Sequence, residues 1–164
     1  MRRRHGLRRR PPNAILRGLL SLCAVWPATC VQVVTGTLQV VDGTPPPWLV
    51  GEFEDDYGIR YTITPSEWIQ HPSMRYHVVQ WNAKGQYLIA HNDPNNPTAP
   101  GRWTRIDWLE LQEGTPYRFG FCLSAYDAVT AAAAEATDIA RRESPTTGCN
   151  GFPFSRLRPV RRVK

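Results

Sequence analysis

The polar residues best placed to contact a ligand lie on one face of a predicted strand. Arg105 and Asp107 are two residues apart and Trp103 precedes them by the same step, so the three side chains share a strand face. A carboxylate beside a guanidinium can orient a ligand, while an indole supplies apolar contact. The pattern predicts a ligand site of Trp103, Arg105 and Asp107, with Trp81 and Tyr87 from the preceding hairpin. The alternative is an ion pair that only joins neighbouring strands.

That preceding hairpin is the clearest local pattern in the chain. Residues 82–85 read Asn-Ala-Lys-Gly and predict a type I turn with a left-handed Gly85 between strands 74–81 and 86–92. The turn type sets the register across the hairpin. The predicted register pairs His77 with His91, Val79 with Ile89, and Trp81 with Tyr87.

Two histidines that face each other across this hairpin could bind a metal ion. Asp93 or Asp107 could complete such a site with His77 and His91. The oxygen-rich loop 92–96 is a candidate for calcium, although it lacks the glycine and the closing glutamate of the standard calcium loop. The alternative is a pair of exposed or hydrogen-bonded strand histidines, and we predict no cofactor.

The sequence contains none of the common catalytic motifs. It has no Gly-x-Ser-x-Gly, no His-Glu-x-x-His, no Cys-x-x-Cys and no glycine-rich phosphate loop. A carboxylate pair for hydrolysis could come from Glu52, Glu54, Asp55 and Asp56. A solvated strand face and a turn explain these four residues better, so we predict no catalytic residue.

Residues 1–30 have the features of an export signal. Six arginines before residue 11 are followed by the apolar run 19–26 and a short processing region, 27–30. The apolar run is too short to cross a bilayer, which takes about 20 residues. We predict a cleaved signal peptide and a protein exported to the periplasm or the extracellular space. Lipid attachment at Cys23 or Cys30 is the alternative.

Removal of the signal changes the charge of the chain. The formal net charge is +6, but seven of the 20 basic residues lie in residues 1–30, which leaves 13 basic against 14 acidic residues. Five more lie in residues 156–164, so residues 31–155 carry 8 basic and 14 acidic residues. The resulting net negative charge argues against a nucleic-acid partner. We predict that 156–164 is a disordered basic tail, with envelope or membrane-surface contact as a secondary role.

Two cysteines outside the signal are placed to form a disulfide. Cys122 lies in an aromatic strand pattern, and Cys149 follows a predicted alanine-rich helix, 125–142, in a turn with two glycines that lets the chain double back. Export favours oxidation of the pair. We predict a Cys122–Cys149 disulfide, and two unpaired buried cysteines are the alternative.

The remaining pattern predicts one mainly-β domain over residues 31–155. A β-branched first strand at 31–41 is followed by short strands separated by glycine, proline and asparagine turns. Seven or eight antiparallel strands indicate a lipocalin-like small barrel, or a sandwich, with one C-terminal α-helix tied by the disulfide. A barrel of that size can hold one small ligand.

Six motifs occur in an order that resembles a family of uncharacterised bacterial secreted proteins and lipoproteins. They are the segments 51–58, 61–68, 89–93, 103–108, 121–128 and 148–152, which include W-[ST]-R-x-D-W, [YF]-C-x-x-A-Y-x-A and G-C-x-G-F. The resemblance spans about 100 residues and implies no known activity. It supports the disulfide, because both cysteine motifs match. The chain departs from the pattern at Asn150, where glycine is common, and in its basic tail.

These features favour an extracytoplasmic, monomeric domain that binds a small molecule or a glycan, or that interacts with another molecule, without catalysis. The first alternative is a carbohydrate-binding module in which exposed indoles stack on sugar rings. Its candidate residues are Trp68, Trp81, Trp103 and Trp108. An exposed row of at least two of them would favour it. A cell-envelope hydrolase is the third interpretation.

Overall fold

The computed structural model describes residues 43–160, in which eight strands form a closed antiparallel barrel. The strands are β1 (Gly51–Asp55), β2 (Arg60–Ile63), β3 (Glu67–Gln70), β4 (Met74–Asn82), β5 (Tyr87–Asn92), β6 (Trp103–Glu110), β7 (Phe119–Ala128) and β8 (Ser155–Pro159). Each strand pairs with the next, and β8 pairs with β1. A 3-10 turn, Pro47–Leu49, precedes β1, and helix α1, Ala131–Ala136, follows β7.

This architecture confirms the predicted fold class. Residues 43–160 are mainly β with one short α-helix, and a disulfide joins Cys122 to Cys149 with their Cα atoms 5.5 Å apart. The sheet is closed, so the fold is a barrel and not a sandwich. Within residues 43–160, no helix is long and apolar enough to span a bilayer. The predicted signal peptide and the predicted strand 31–41 lie outside the described residues.

Large side chains fill the barrel interior. Fifteen buried residues form it: Leu49, Phe53, Tyr61, Ile63, Trp68, Tyr76, Val78, Trp81, Leu88, Ala90, Ile106, Trp108, Phe119, Phe121 and Leu157. The ring centroids of Trp81 and Trp108 are 5.7 Å apart, and those of Trp68 and Phe121 are 5.3 Å apart. Tilted aromatic contacts of this kind add about 0.5–1.5 kcal/mol per pair beyond burial. The space predicted for a small ligand is therefore occupied by the core.

The two ends of the barrel are also covered. At the lower end, where β1 begins, Leu49 is fully buried in the core. At the upper end, the side-chain amide of Asn92 donates to the carbonyls of Ala99 and Tyr126, each at 2.9 Å. The Thr104 hydroxyl donates to Asn92 Oδ1 at 2.6 Å. This satisfied buried network holds the loop 93–102 across the upper end.

The helix is shorter and begins later than the predicted 125–142. Strand β7 continues to Ala128, and Thr130 caps α1 by accepting the Ala133 N–H at 3.1 Å. Ser124, at the predicted helix start, instead donates its hydroxyl to the buried Asp107. Helix propensities differ by only a few tenths of a kcal/mol per residue, so burial and tertiary hydrogen bonds outweigh the preference of the alanine run.

The predicted disordered tail begins with an ordered strand. Residues 156–159 belong to β8, which pairs with both β7 and β1 and so closes the barrel. Leu157 is fully buried, while Arg156 and Arg158 point outward and contact Asp56 and Glu54. Alternation of apolar and basic residues therefore forms a strand here. Residues 161–164 lie outside the described range.

The β4–β5 hairpin has the predicted histidine pair but a different turn. His77 pairs with His91 as predicted, whereas Trp81 pairs with Leu88 rather than Tyr87. The turn occupies residues 83–86, and Gln86, not Gly85, is left-handed with φ of 55°. An irregularity in β4 between residues 78 and 80 shifts the register by one residue, so only the end of the hairpin far from the turn keeps the predicted register.

The Cys122–Cys149 disulfide should contribute a large part of the stability. The linked residues are 27 positions apart, and chain entropy for a loop of this length gives about 3.5 kcal/mol. We expect the double variant Cys122→Ala/Cys149→Ala to lose about that free energy of unfolding in urea. Dithiothreitol should destabilise wild type similarly and leave the variant unchanged. Peptide mapping that finds both thiols free in exported protein would contradict the assignment.

Candidate functional site

The predicted pair Arg105 and Asp107 lies on the outer face of the barrel, beneath a covering layer. Ile106 and Trp108 of the same strand point into the core, so their neighbours point outward. Arg105 and Asp107 are nevertheless 5 % and 0 % exposed. The cover is residues 131–154, which we call the outer segment: Glu135 of this segment accepts a hydrogen bond from Arg105 through its carbonyl.

Both carboxylate oxygens of Asp107 are saturated by protein donors. Oδ2 accepts from Arg105 Nε at 2.8 Å and from the Ser124 hydroxyl at 2.5 Å. Oδ1 accepts from Arg105 Nη2 at 2.9 Å and from Arg142 Nη2 at 2.6 Å. A carboxylate offers about four acceptor positions, so none is left for a ligand. The geometry favours the structural alternative for this pair.

Arg105 is also buried, and it has partners other than Asp107. Its Nη2 also lies 3.1 Å from Asp138 Oδ1, and its guanidinium carbon lies 4.3 Å from the centre of the Tyr87 ring. Burial opposes the charged form, but the hydrogen bonds and the charge of Asp107 outweigh it and raise the pKa of Arg105 above its ordinary value. The guanidinium is therefore a permanent positive charge that joins β6 to the outer segment.

Arg142 completes the cluster, and sequence analysis missed this role. The predicted helix 125–142 ends at Arg142, but in the structure its Nε donates to the Trp108 carbonyl at 2.9 Å. Its Nη2 donates to the carbonyls of Gly85 and Gln86, also at 2.9 Å. No local pattern could reveal a contact between side chains 35 residues apart in the chain. Arg105, Asp107 and Arg142 are referred to below as the ion cluster.

The other predicted ligand-binding residues, Tyr87, Trp103 and Trp81, do not form one open site with Arg105 and Asp107. The Tyr87 hydroxyl donates to Glu135 Oε1 at 2.6 Å, so Tyr87 is part of the attachment of the outer segment. Trp103 is half-buried, and its ring centroid lies 4.9 Å from that of His91. Trp81 lies on the opposite side of the wall, inside the core. The five predicted residues are thus divided between the outer layer and the interior.

The predicted metal ligands are held by hydrogen bonds. His77 Nε2 lies 2.8 Å from Asp93 Oδ2, and its Nδ1 lies 3.7 Å from Glu67. The Asn95 backbone N–H, followed by His77, holds the pKa of Asp93 below its ordinary value. Over residues 43–160, no three His, Cys, Asp or Glu side chains form a group that could hold a metal ion. His91 packs on Trp103 instead.

The residues of the candidate calcium loop also make hydrogen bonds to the protein. Asn92 ties the loop to the barrel, and Asn96 exchanges two hydrogen bonds of 2.8 Å with the backbone of Arg75. Asp93 Oδ1 accepts the Asn95 backbone N–H at 2.8 Å. These hydrogen bonds stabilise the loop itself.

Three of the four carboxylates considered for hydrolysis have a structural partner, namely Glu54, Asp55 and Asp56. Asp55 is buried and accepts the N–H groups of Tyr57 and Ile59 at 2.9 and 2.8 Å, and the Tyr61 hydroxyl at 3.0 Å. Burial, followed by the charge of Asp55, raises the pKa of Tyr61 far above its ordinary value. Glu54 is paired with Arg158 on the surface. These groups shape the β1–β2 turn.

An open groove lies where the barrel wall is incomplete. Strand β7 has 10 residues, but β8 pairs only with residues 119–121 of it. Above β8, a groove of about 370 Å³ separates β7 from the β1–β2 turn. Cys122 and Cys149 both line it, so we call it the disulfide groove. No local sequence pattern predicts this groove, because it arises from the unequal lengths of two strands that are distant in the chain.

Two exposed aromatic side chains line the disulfide groove. Tyr57 is 73 % exposed and Phe152 is 70 % exposed, more than any other aromatic residue in the described chain. Asp55 is the only charged residue among the described residues that line the groove, and its oxygens already accept hydrogen bonds. Because Asp55 is only 3 % exposed, little charge reaches the surface of the groove, which is partly apolar.

Comparison with protein-family models, with curated proteins and with solved structures returned no match to this chain. The site must accordingly be interpreted from its own geometry.

The ion cluster makes a quantitative prediction about stability. Asp107→Ala leaves Arg105 and Arg142 without their shared anion, and breaking a buried pair in this way costs about 3–5 kcal/mol. Arg105→Met combined with Asp107→Ala should destabilise less than the sum of the single variants, as measured by urea unfolding in a double-mutant cycle. Arg158→Met, in an exposed pair, is the control and should change the midpoint little. Additive effects would show that Arg105 and Asp107 do not interact.

Proposed function

We propose that the protein is an extracytoplasmic interaction domain that binds an uncharged ligand in the disulfide groove, without catalysis. The observation that carries this proposal is the exposure of Tyr57 and Phe152 on one uncharged groove. Burial of a large aromatic side chain is favourable, so a ligand that covers it gains binding free energy. Exposed apolar surface beside a groove is typical of a binding site. The groove volume of about 370 Å³ lies within the range of small-molecule sites.

The lining of the groove defines the class of ligand. Gln70 and Ser155 supply an amide and a hydroxyl, while Ile59, Phe121 and Leu123 supply apolar surface. Asp55 is 3 % exposed and no basic residue lines the groove within the described range, so an ionised ligand group would be desolvated with little opposite charge to pair with. A neutral molecule with an apolar face and a few hydrogen-bonding groups fits these residues best.

The tryptophan-based carbohydrate module receives little support. Trp68, Trp81 and Trp108 are buried, and each is at most 4 % exposed. Trp103 is half-buried and packs against His91, so residues 43–160 present no row of exposed indoles. A neutral sugar could still stack on Tyr57 or Phe152, which makes oligosaccharides suitable test ligands. The structural partners of the acidic residues give no support to a hydrolase.

The export part of the proposal rests on two features. The sequence of residues 1–30 has the pattern of a signal peptide, and a disulfide is typical of proteins in oxidising compartments. The negative charge of residues 31–155 supports a partner other than nucleic acid. Arg156 and Arg158 contact Asp56 and Glu54, so the proposed membrane-surface contact of the tail would depend mainly on residues 161–164.

Thermal unfolding in the presence of neutral small molecules and neutral oligosaccharides tests the binding proposal. A ligand at 100 times its Kd stabilises the folded state by about 2.7 kcal/mol, which is several degrees in Tm. We expect Phe152→Ala and Tyr57→Ala each to weaken binding of any hit about tenfold or more. Tyr126→Ala removes an exposed tyrosine that does not line the groove and is the matched control. Equal affinity in all three variants would contradict the proposal.

Export has its own test. The protein recovered from outside the cytoplasm should begin near Val31, because the processing region 27–30 precedes it. N-terminal sequencing and intact mass would establish this. A chain that starts at Arg2 would contradict export by cleavage, and a diacylated Cys30 would support the anchored alternative.

A further inference from the structure

The two sulfur atoms of the disulfide differ in their surroundings. Cys122 is 1 % exposed and packs in an apolar cluster with Leu109, Ala140 and Phe154. Cys149 is only half-buried, and both cysteines line the disulfide groove. A thiolate breaks a disulfide by attacking one of its sulfurs, and access decides which sulfur is attacked. The difference in burial therefore makes Cys149 the accessible end of the bond.

A tight turn holds Cys149 beside the groove. The Cys149 N–H donates to the Phe152 carbonyl, and the Phe152 N–H donates to the Cys149 carbonyl, each at 2.9 Å. Asn150 and Gly151 between them are left-handed, with φ of 52° and 87°, and both are exposed. Two left-handed residues at the centre of such a turn are typical of type I′. The backbone of Cys149 is thus fixed at the base of an exposed turn.

We propose that Cys149 is a thiolation site, at which a small thiol that enters the disulfide groove forms a mixed disulfide. The thiol attacks as its thiolate, and its sulfur bonds to Cys149 Sγ as the bond to Cys122 breaks. The electron pair leaves on Cys122 Sγ, which takes up a proton equivalent to the one that the thiol has lost. One disulfide is exchanged for another, so the thiol is the only co-reactant. The inference goes beyond the proposed function, because it needs an open groove and no other ligand.

The surroundings of Cys122 favour retention of the adduct. The apolar cluster around this residue favours the neutral thiol over the thiolate. Ser124 Oγ lies 3.7 Å from Cys122 Sγ, but it is closer to Asp107 Oδ2, at 2.5 Å, and its proton is directed there. Because only a thiolate attacks a disulfide, Cys122 should displace the adduct and restore the original bond slowly.

Thiolation would alter the groove and leave the outer segment on the barrel. Arg142 would still donate to Asp107 and to the Trp108 carbonyl. Phe154 is 2 % exposed, and its N–H donates to the Pro145 carbonyl at 2.9 Å. The modification would therefore place the thiol in the groove and free the turn 149–152, while these contacts hold the rest of the segment.

The experiment uses the full chain with its disulfide intact, and the probe is 2-mercaptoethanol. The reaction is quenched with acid at early times, and peptide mapping by mass spectrometry assigns the adduct to Cys122 or to Cys149. In the native protein we expect about tenfold or more adduct at Cys149 than at Cys122. Concentrated urea exposes both sulfurs and is the internal control, in which the two residues should be modified about equally.

Reaction rates separate attack in the groove from attack on unfolded protein. Attack in the groove should keep the same rate at urea concentrations below the unfolding transition. Phe152→Lys places a cation on the groove close to Cys149 in the chain. It should speed thiolation about threefold or more at low salt, because it attracts the thiolate. Tyr126→Lys, at an exposed position that does not line the groove, is the matched control and should leave the rate unchanged.

Four outcomes would overturn the inference. Equal modification of Cys122 and Cys149 in the native protein would show that the structure does not direct the attack. A rate that rises with the unfolded population would place the reaction in unfolded protein. Equal rates in the Phe152→Lys and Tyr126→Lys variants would exclude entry through the groove. A native disulfide that does not react, under conditions in which the unfolded protein does, would show that Cys149 is inaccessible.

Discussion

The carboxylate of Asp107 is the group on which the outer layer of this protein depends. It is fully buried on the outside of the barrel, and it accepts hydrogen bonds from Arg105, Ser124 and Arg142. These donors come from β6, β7 and the outer segment. Burying the charges costs several kcal/mol per ion unless each is paired and hydrogen-bonded. The requirement to satisfy Asp107 therefore confines the outer segment to one position on the barrel.

The ion cluster and the disulfide hold the two parts of the outer segment independently of the core. Arg142 attaches the middle of the segment to β6 and to the β4–β5 turn, and Cys149 attaches its end to β7. Cys149 and Phe152 then form one wall of the disulfide groove. The outer segment, which lies between β7 and β8 in the chain, therefore adds to stability through these two attachments and also supplies one wall of the groove in which binding is proposed.

Sequence reasoning succeeded where a short-range rule governs the structure. Alternation of side chains along a strand placed Arg105 and Asp107 on one face, and the turn with two glycines correctly predicted that Cys149 returns to Cys122. It failed where contacts between residues far apart in the chain determine the structure. The alanine run predicted a long helix, but Ser124 and Arg142 are drawn to Asp107 instead, which leaves six helical residues. The disulfide groove depends on where β8 begins relative to β7, and neither strand has a local sequence pattern that predicts this.

Hydrogen exchange of an Asp107→Asn variant with the disulfide intact tests most directly whether the ion cluster holds the outer segment. Asparagine keeps the shape of the side chain and removes the charge that pairs with Arg105 and Arg142. The account predicts that amides of residues 131–154 exchange about tenfold faster or more than in wild type, while β2 to β5 keep their protection. Unchanged protection in residues 131–154, or an equal loss of protection in all eight strands, would contradict it.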